Sequence, residues 1–504
     1  MSTVNPVIIL SVFVVYTVLL FVIAHFTSRK SNNESFFKGN RKSPWFVVAY
    51  GMIGASLSGV TFMSVPGGVY NDKFTYIGIV LGYVIGYAVI AWVLLPLYYK
   101  LNLTSIYSYL EQRFGVHSER TGAAFFLLSR LLGSALRMYL VVFVLYEFVF
   151  VHWGIPFWVP AVIFIAIILL YTFKGGIKTV VWTDTLQTTF LILAAVLTVV
   201  FITRNLGMGI TDILKVSSEG MLEKDPSNRG FWSLVFENDP AHSKFWLKQV
   251  LSGAFITITM TGLDQDMMQK NLTCKNLRDA QKNVMTSSLL FIVVNVVFLS
   301  LGAALIYYAQ QKGIMPIEVV NGEQKVLADK IFPSVAFSLS SFTAVVFVLG
   351  LVAAGYSSAD GTLTALTTTF CYDFLHFEKR GFTEQQVTKY RKLIHVGFAL
   401  LFLLVIIIFK PFHDDSLINM VFDIAALTYG PLLGLYTFGL FVKRRRVYDK
   451  AVPFIAVASP VICFFLKRYS ADLFWGYKFG FELLIVNGLL TFLGLLIASK
   501  REKC

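Results

Sequence analysis

The sequence predicts an all-α membrane protein with about thirteen transmembrane helices. Of its 504 residues, 56% are hydrophobic and only 14% are charged, whereas soluble domains carry about 25% charged residues. Apolar runs of roughly 20 residues recur from one end of the chain to the other, and each can cross a hydrocarbon core about 30 Å thick as a helix. The composition therefore excludes a soluble globular protein, and we expect the chain to lie in a lipid bilayer.

Charged clusters and clusters of Gly, Pro and Asn separate thirteen predicted spans. They lie near residues 7–28, 45–70, 74–99, 120–151, 155–173, 179–203, 244–268, 283–309, 334–372, 393–409, 416–442, 451–466 and 475–498. We number them span one to span thirteen. The ninth run is too long for one crossing, so we expect its last part to continue into the cytoplasm or to form a second short helix.

Lysine and arginine concentrate in alternate loops, as they do on the cytoplasmic side of membrane proteins. The basic clusters follow the odd-numbered spans, and the run from Lys443 to Arg446 after span eleven is an example. The loop at 205–243, on the opposite side, is mixed or acidic. An odd number of spans then predicts an N-terminus outside and a C-terminus inside. Because membrane topology explains the net charge of +14, we expect no nucleic-acid partner.

Two predicted spans contain residues that weaken helices. Span two includes GMIGASLSGVTFMSVPGG at 51–68, and span seven has Gly253, three threonines and Gly262 before Asp264. Helices interrupted at matching places in two halves of a chain are typical of a transporter's binding site, because unwound carbonyls can replace an ion's water shell. Spans two to six and seven to eleven would then be inverted five-helix repeats. Close helix packing through small residues is the alternative explanation.

Span nine, GLVAAGYSSADGTLTALTTTF at 350–370, supplies hydroxyls opposite these interruptions. At 100° per residue, one helix face carries Ala354, Ser357, Ser358 and Gly361. Hydroxyl and carbonyl oxygens are ligands that hard cations prefer, so this face suits a hard monovalent cation. Asp360 lies on the flank, and an ionisable residue this deep indicates an ion or substrate pathway.

Two further charges fall inside predicted spans. Asp184 opens span six, where it could also serve as an ordinary helix N-terminal carboxylate near the interface. Arg137 lies within span four and requires an anion, because an unpaired buried arginine is costly. That anion is either Asp360, in a structural pair that we slightly favour, or the carboxylate of an incoming solute.

Six motifs, in this order, make the chain resemble the bacterial sodium:solute symporters, the family of the sodium/glucose, sodium/proline, pantothenate and sialic acid transporters. They are LSGVTFMSVPG, TSIYSYLEQRFG, YTFKGGIKTVVWTDTLQ, DQDMMQK, AAGYSSADGTLTALTTTF and YGPLLGLYTFGLF. The resemblance covers nearly the whole chain and implies a LeuT-like fold. Residues 1–504 would form one transporter domain, with an extra helix at 7–28, repeats at 45–203 and 244–442, and two C-terminal helices at 451–498.

The resemblance implies secondary active import of a solute driven by the sodium gradient. Aligned through LSGVTFMSVP, the carbonyls of Gly54 and Leu57 are the expected Na⁺ ligands in span two. Aligned through SSADGTL, the ligands in span nine are the Ala354 carbonyl and the hydroxyls of Ser357 and Ser358. No metal ion other than Na⁺ is expected.

Some family members bind a second sodium ion between span nine and an aspartate at the start of span six. The aspartate is present as Asp184, but positions that carry hydroxyls in those members are here Asp360 and Gly361. Asp184 and Asp360 could form a second cation site, or could share a proton because adjacent carboxylates raise one another's pKa. A third interpretation is that Arg137 neutralises Asp360. The stoichiometry stays open.

Ser58 and Thr61 follow the sodium carbonyls and are expected, with Arg137, to contact the solute. Aromatic residues such as Phe62 or Tyr356 are expected to shape the cavity. Val80 stands where the sialic acid carriers have a glutamine, which does not favour that sugar acid. We expect a small polar or anionic organic solute.

Other functions are less well supported. A proton-coupled or mixed-cation carrier would use Asp360, and a membrane solute sensor could share the fold, although no attached output domain is expected. An enzyme is not expected, because the seven histidines show no metal-ligand spacing and no pairing of a base with a nucleophile. A channel is less consistent with oxygen ligands between inverted repeats.

Overall fold

The computed structural model describes residues 6–29, 31–223, 230–240, 242, 244–320, 323–409, 417–474, 476–477 and 479–501. Each predicted apolar run corresponds there to a helix or to a broken helix. In chain order the helices are Pro6–Ser28; Trp45–Ser56 with Gly59–Asp72; Tyr76–Val89 with Ile90–Leu94 and Leu95–Lys100; Val116–Leu145 with Tyr146–Phe150 and Val151–Trp153; Trp158–Gly175; Ile177–Leu206; Trp246–Thr257 with Ile258–Gly262 and Gln265–Asn271; Leu277–Lys312; Ser341–Thr369 with Phe370–Phe374; Glu384–Ile408; Leu417–Phe441; Val452–Arg468; and Leu483–Ile497.

Short elements lie between these helices. The short helices are Asn33–Lys38, Gly39–Arg41, Ser108–Arg113, Ile210–Glu223, Phe231–Val235, Ala328–Leu339, Asp449–Ala451 and Ser470–Leu473. Two small antiparallel pairs join Ile317–Val320 to Glu323–Val326 and Arg445–Val447 to Ser499–Arg501. The second pair ties the loop after span eleven to the chain that follows span thirteen.

The number of helices able to cross a membrane is smaller than the number of helical runs. Among the described residues, ten helices are by themselves long and apolar enough to cross a membrane, and the bent pair of span two makes eleven. Span seven is divided into pieces, and the last span is an apolar helix of only 15 residues. The expected count of thirteen crossings is therefore not confirmed, although all thirteen runs are helical. The two chain termini lie outside the described residues.

The ninth run is shortened at its beginning. Ala328–Leu339 forms a separate helix, and Ser340, with extended backbone, accepts a hydrogen bond from the Thr343 amide at 3.1 Å. This capping box ends the first helix and starts the second. The other end continues as a helix to Phe374, and its extension into the cytoplasm stays a prediction.

Span two breaks at Leu57 and Ser58, whose extended backbones separate Trp45–Ser56 from Gly59–Asp72 with a bend of 62°. The Ser58 hydroxyl caps the second piece by accepting a hydrogen bond from the Thr61 amide at 3.3 Å. Gly54 sits one turn before the break, where a side chain would collide with Thr188 of span six. The small residues of span two therefore permit both the break in this span and its close contact with span six.

Span nine is the central helix of the bundle. Every position from 351 to 369 is buried, whereas spans one and ten expose apolar residues such as Val15 and Leu400. An apolar surface on the outer helices is what contact with lipid requires. The serines and threonines of span nine are thus inside the protein and not in lipid.

Candidate functional site

The second half of span two packs directly on span nine. A Cβ atom added to Gly350 would lie 2.9 Å from Cζ of Phe62, and one added to Gly59 would lie 3.5 Å from Cδ1 of Leu351. Later residues of span two therefore lie beside earlier residues of span nine.

The first half of span two reaches span nine through Asp184 of span six. A Cβ atom added to Gly51 would lie 2.9 Å from Cβ of Asp184. The Ser357 hydroxyl donates a hydrogen bond to Oδ1 of the same carboxylate at 2.7 Å. Gly51 is thus linked to position 357, while Gly59 lies beside position 351. The break between them faces the turn that begins near Ala354.

The break leaves backbone oxygens of span two without protein donors. The Leu57 amide still donates to Ile53 at 2.8 Å, but the extended residues at 57 and 58 end the helical ladder. In the part of the chain that the structure describes, no hydrogen bond is donated to the carbonyls of Gly54 or Leu57. Buried carbonyls are normally paired, so these oxygens are suited to a ligand.

The two predicted serine ligands are buried and differ in their partners. Ser357 is 0% exposed and Ser358 is 2% exposed. Ser357 donates to Asp184, and its oxygen keeps lone pairs for a cation, whereas the Ser358 hydroxyl has no hydrogen-bond partner among the described residues. The donor set at this break, hydroxyls plus carbonyls, fits a hard cation. Sodium binding by these five residues stays a prediction.

Asp184 has a partner that the sequence analysis missed. Nζ of Lys270 lies 3.0 Å from Oδ2 of Asp184 and 3.5 Å from Oδ1 of Asp266. Lys270 belongs to the basic cluster after span seven, which the alternation of charges predicts to be cytoplasmic, but its side chain is 1% exposed. Its spacing of four residues from Asp266 was the available signal, since i,i+4 residues share a helix face.

Asp360 does not pair with Arg137, so the structural pair that we favoured is wrong. Its Oδ2 accepts hydrogen bonds from Tyr171 at 2.7 Å, Thr183 at 3.3 Å and Gln187 at 3.3 Å. These donors belong to spans five and six, and they turn the carboxylate towards those spans. With Lys270 beside Asp184, the two carboxylates do not enclose an open site.

Ser58, Thr61 and Arg137, the three predicted solute contacts, line one cavity. Tyr76, Tyr83 and several apolar and hydroxyl-bearing residues also line it. A cavity that combines apolar walls with a few polar groups, as this one does next to the break in span two, is typical of a small-molecule site.

Neither aromatic residue that we expected at the cavity lines it. Phe62 packs in an aromatic cluster, with ring centroids 4.9 Å from Phe332 and 5.9 Å from Phe347. The Tyr356 ring is tilted against that of Phe164, with their centroids 5.4 Å apart. Both rings are buried completely. Tyrosines of span three line the cavity instead.

Arg137 has no acidic partner within the described chain. Its Nε is buried and lacks a hydrogen bond, and no carboxylate lies within ion-pair distance of its guanidinium. Arg130 lies seven residues earlier on the same helix and also borders the cavity. It binds Asp264 with contacts of 2.6 and 2.7 Å. Of these two cavity arginines, only Arg137 is available to an anion.

The break in span seven is closed by protein groups. Tyr98 donates to the Gly262 carbonyl at 2.9 Å, and Tyr107 donates to the Leu263 carbonyl at 3.0 Å. The next residue, Asp264, holds Arg130 and caps the helix Gln265–Asn271. This break therefore offers no unsatisfied carbonyl at 262 or 263.

Two of the six sequence motifs, TSIYSYLEQRFG and DQDMMQK, meet at the end of span seven. The Gln265 amide accepts from the Ile106 backbone at 2.9 Å and donates to the Thr104 carbonyl at 2.8 Å. It thereby fixes the loop after span three to the end of span seven. Gln269 similarly donates to the Phe37 carbonyl at 2.7 Å and to Thr368 at 3.0 Å. These buried contacts fix the helix Gln265–Asn271 to the helix Asn33–Lys38 and to span nine.

Comparisons of sequence show the family of the chain. Residues 36–448 match the model of the sodium:solute symporter family. The chain is 25% identical over 475 residues to the sodium/sialic acid symporter NanT of Aliivibrio fischeri, which covers 93% of this chain and 89% of that protein. It is 26% identical over 461 residues to the sodium/sialic acid symporter SiaT of Proteus mirabilis, covering 90% and 88%.

A solved structure shows the same fold. It is a substrate-bound, outward-open state of a Na⁺-coupled sialic acid symporter, with a TM-score of 0.79 and 22% identity. The match covers 98% of this chain and 99% of that one.

Proposed function

Because the chain belongs to the sodium:solute symporter family, we propose that this Na⁺-coupled symporter imports a small carboxylate-bearing solute by alternating access. Na⁺ would bind at the break of span two, held by the carbonyls of Gly54, Leu57 and Ala354 and by the hydroxyls of Ser357 and Ser358. The unpaired carbonyls of Gly54 and Leu57 and the free hydroxyl of Ser358 support this assignment.

The free guanidinium of Arg137 carries the proposal for the solute. Arg137 is partly buried and its Nε is shielded from water without a hydrogen-bond partner, so an anion bound there would supply the missing counter-ion. A planar guanidinium matches a carboxylate in two parallel hydrogen bonds. Ser58 and Thr61 line the same cavity and would bind polar groups of the solute. The relatives NanT and SiaT are sodium/sialic acid symporters, and sialic acid also carries a carboxylate.

The proton-coupled alternative receives less support. The Asp360 carboxylate does not line the cavity of Ser58, Thr61 and Arg137, and its Oδ2 is already bound by three side-chain donors of spans five and six. We also propose that the N-terminus is outside and the C-terminus is cytoplasmic, as the distribution of lysine and arginine predicts.

Substitution of Arg137 tests the solute class. We expect Arg137→Gln to weaken binding of carboxylates by roughly 100-fold, because a hydrogen-bonded charge pair contributes about 1.5–3 kcal/mol. Arg137→Lys should recover part of this loss, and Arg204→Gln, which removes an exposed arginine elsewhere, should change nothing. Sodium-dependent thermal shifts with monocarboxylates, sugar acids, amino acids and neutral sugars would identify the ligand, and uptake into proteoliposomes would give its affinity. Equal loss for neutral and anionic ligands would contradict the proposal.

A further inference from the structure

The space beside Gly361 is filled by the ammonium group of Lys270. A Cβ atom added to Gly361 would lie 2.7 Å from Nζ of Lys270 and would also collide with Oδ1 of Asp266. Position 361 therefore has no room for a side chain while Lys270 is in place. Lys270 belongs to the helix Gln265–Asn271 that follows the break in span seven, and it reaches spans six and nine from there.

This ammonium group stands where a bound cation would otherwise be needed. It is buried, lies within ion-pair distance of Asp184 and Asp266, and forms no well-aligned hydrogen bond with a described residue. A buried carboxylate requires a compensating positive charge. At Asp184, the side chain of Lys270 supplies that positive charge.

The second cation site that the sequence predicted from Asp184 and Asp360 lacks free ligands. Oδ1 of Asp184 accepts the Ser357 hydroxyl, and Oδ2 faces Lys270. Asp360 is held by donors of spans five and six, and Gly361 contributes no side chain. An additional Na⁺ here would have to displace a like charge at the same carboxylate.

We propose that Lys270 is a tethered cation that takes the place of a second Na⁺ beside Asp184, so that the chain binds one Na⁺. This inference rests on the proposed sodium site at the break of span two. The proposed sodium site and Asp184 are adjacent, because Ser357 is a proposed ligand of that site and donates a hydrogen bond to Asp184. Removing the ammonium and supplying a hydroxyl in its place should therefore create a second Na⁺ site.

The test is the number of sodium ions bound at saturation. Full-length protein in detergent is equilibrated with radioactive Na⁺ alone, at constant ionic strength maintained with choline chloride, and bound ions per chain are counted. The native chain should bind one. Lys270→Gln with Gly361→Ser should bind a second ion, and the Hill coefficient should rise from about 1 towards 2. Lys270→Gln with Asp184→Asn removes both charges and should not gain an ion, and Lys270→Arg should also bind one.

The outcomes separate this inference from the proposed function. Two ions bound to the native chain would overturn the tethered cation and leave sodium coupling intact. No sodium binding to the native chain would overturn the sodium site itself and the inference with it. A folded Lys270→Gln/Gly361→Ser protein that still binds one ion would show that Lys270 does not exclude the second. If that variant fails to fold, the native count still decides between one ion and two.

Discussion

Spans two and seven are both interrupted near their middles, and the backbone oxygens exposed by the two interruptions have different neighbours. In span two, the carbonyls of Gly54 and Leu57 receive no donor from the described residues. In span seven, the carbonyls of Gly262 and Leu263 receive the hydroxyls of Tyr98 and Tyr107. The same local weakness of the helix thus produces one open break and one closed break.

The difference indicates what each break does. An unpaired carbonyl inside a membrane protein costs several kcal/mol unless a ligand or water satisfies it, so the open break suits Na⁺. At the closed break, the carbonyls of Gly262 and Leu263 are already hydrogen-bonded within the protein, and Asp264 binds Arg130. Its role is to position the end of span seven, including Lys270, against spans four and six.

The largest expected effect concerns the closed break. Asp264→Asn leaves Arg130 without its bidentate partner, and loss of one member of a buried pair costs about 3–5 kcal/mol of unfolding free energy. Thermal unfolding in detergent measures this loss. Lys467→Gln, which removes a partly exposed ion pair with Asp423, should cost less than about 1 kcal/mol. A sodium affinity that fell as much as stability would contradict a purely positioning role.

The open break predicts a loss of sodium binding. Replacing Ser357 and Ser358 together by Ala removes two proposed ligands, and at about 1–3 kcal/mol each sodium affinity should fall by roughly 100-fold or more. Sodium titration of the thermal shift gives the affinity. Ser288→Ala is the matched control, because its hydroxyl is also buried without a partner but lies on span eight. Unchanged sodium affinity in the double variant would remove these serines from the site.

The smallest effect comes from opening the closed break. Tyr98→Phe frees the Gly262 carbonyl, which should cost about 1 kcal/mol of stability, since hydrogen bonds between membrane helices average less than isolated models suggest. Sodium affinity should stay unchanged, because Asp264 and the Tyr107 contact persist. Tyr390→Phe, at a partly exposed ring, serves as control. A gain of sodium binding in Tyr98→Phe would show that span seven can also hold a cation.

Local sequence patterns were sufficient to predict much of the fold. Runs of apolar residues located the thirteen long or broken helices because the bilayer requires a fixed length of hydrocarbon surface, whereas the short helices between them carry no such signal. Glycine, serine and proline in GASLSGVTFMSVPG located the break of span two, and helical periodicity placed Ser357 and Ser358 together on a buried face. The family model confirms the resemblance that the motifs indicated.

The charged partners could not be predicted in the same way. Arg130 and Arg137 are seven residues apart on one helix face, and nothing local shows which one is paired. That depends on Asp264, which is distant in sequence and reaches span four only because span seven breaks there. The buried position of Lys270 was equally hard to predict, because an i,i+4 pair with Asp266 has the same sequence spacing on a buried helix as on an exposed one. Pairing across helices is a property of the packed bundle.

The attachment of Lys270 to the backbone has a bioenergetic consequence. A charge that is bound to the chain returns with it in every cycle, so it adds nothing to the net charge delivered across the bilayer. One Na⁺ carried with one monovalent carboxylate is then electroneutral. Voltage, worth about 2.3 kcal/mol per charge per 100 mV, would neither drive nor oppose uptake, and the ratio of sodium concentrations alone would limit how far the solute can be accumulated.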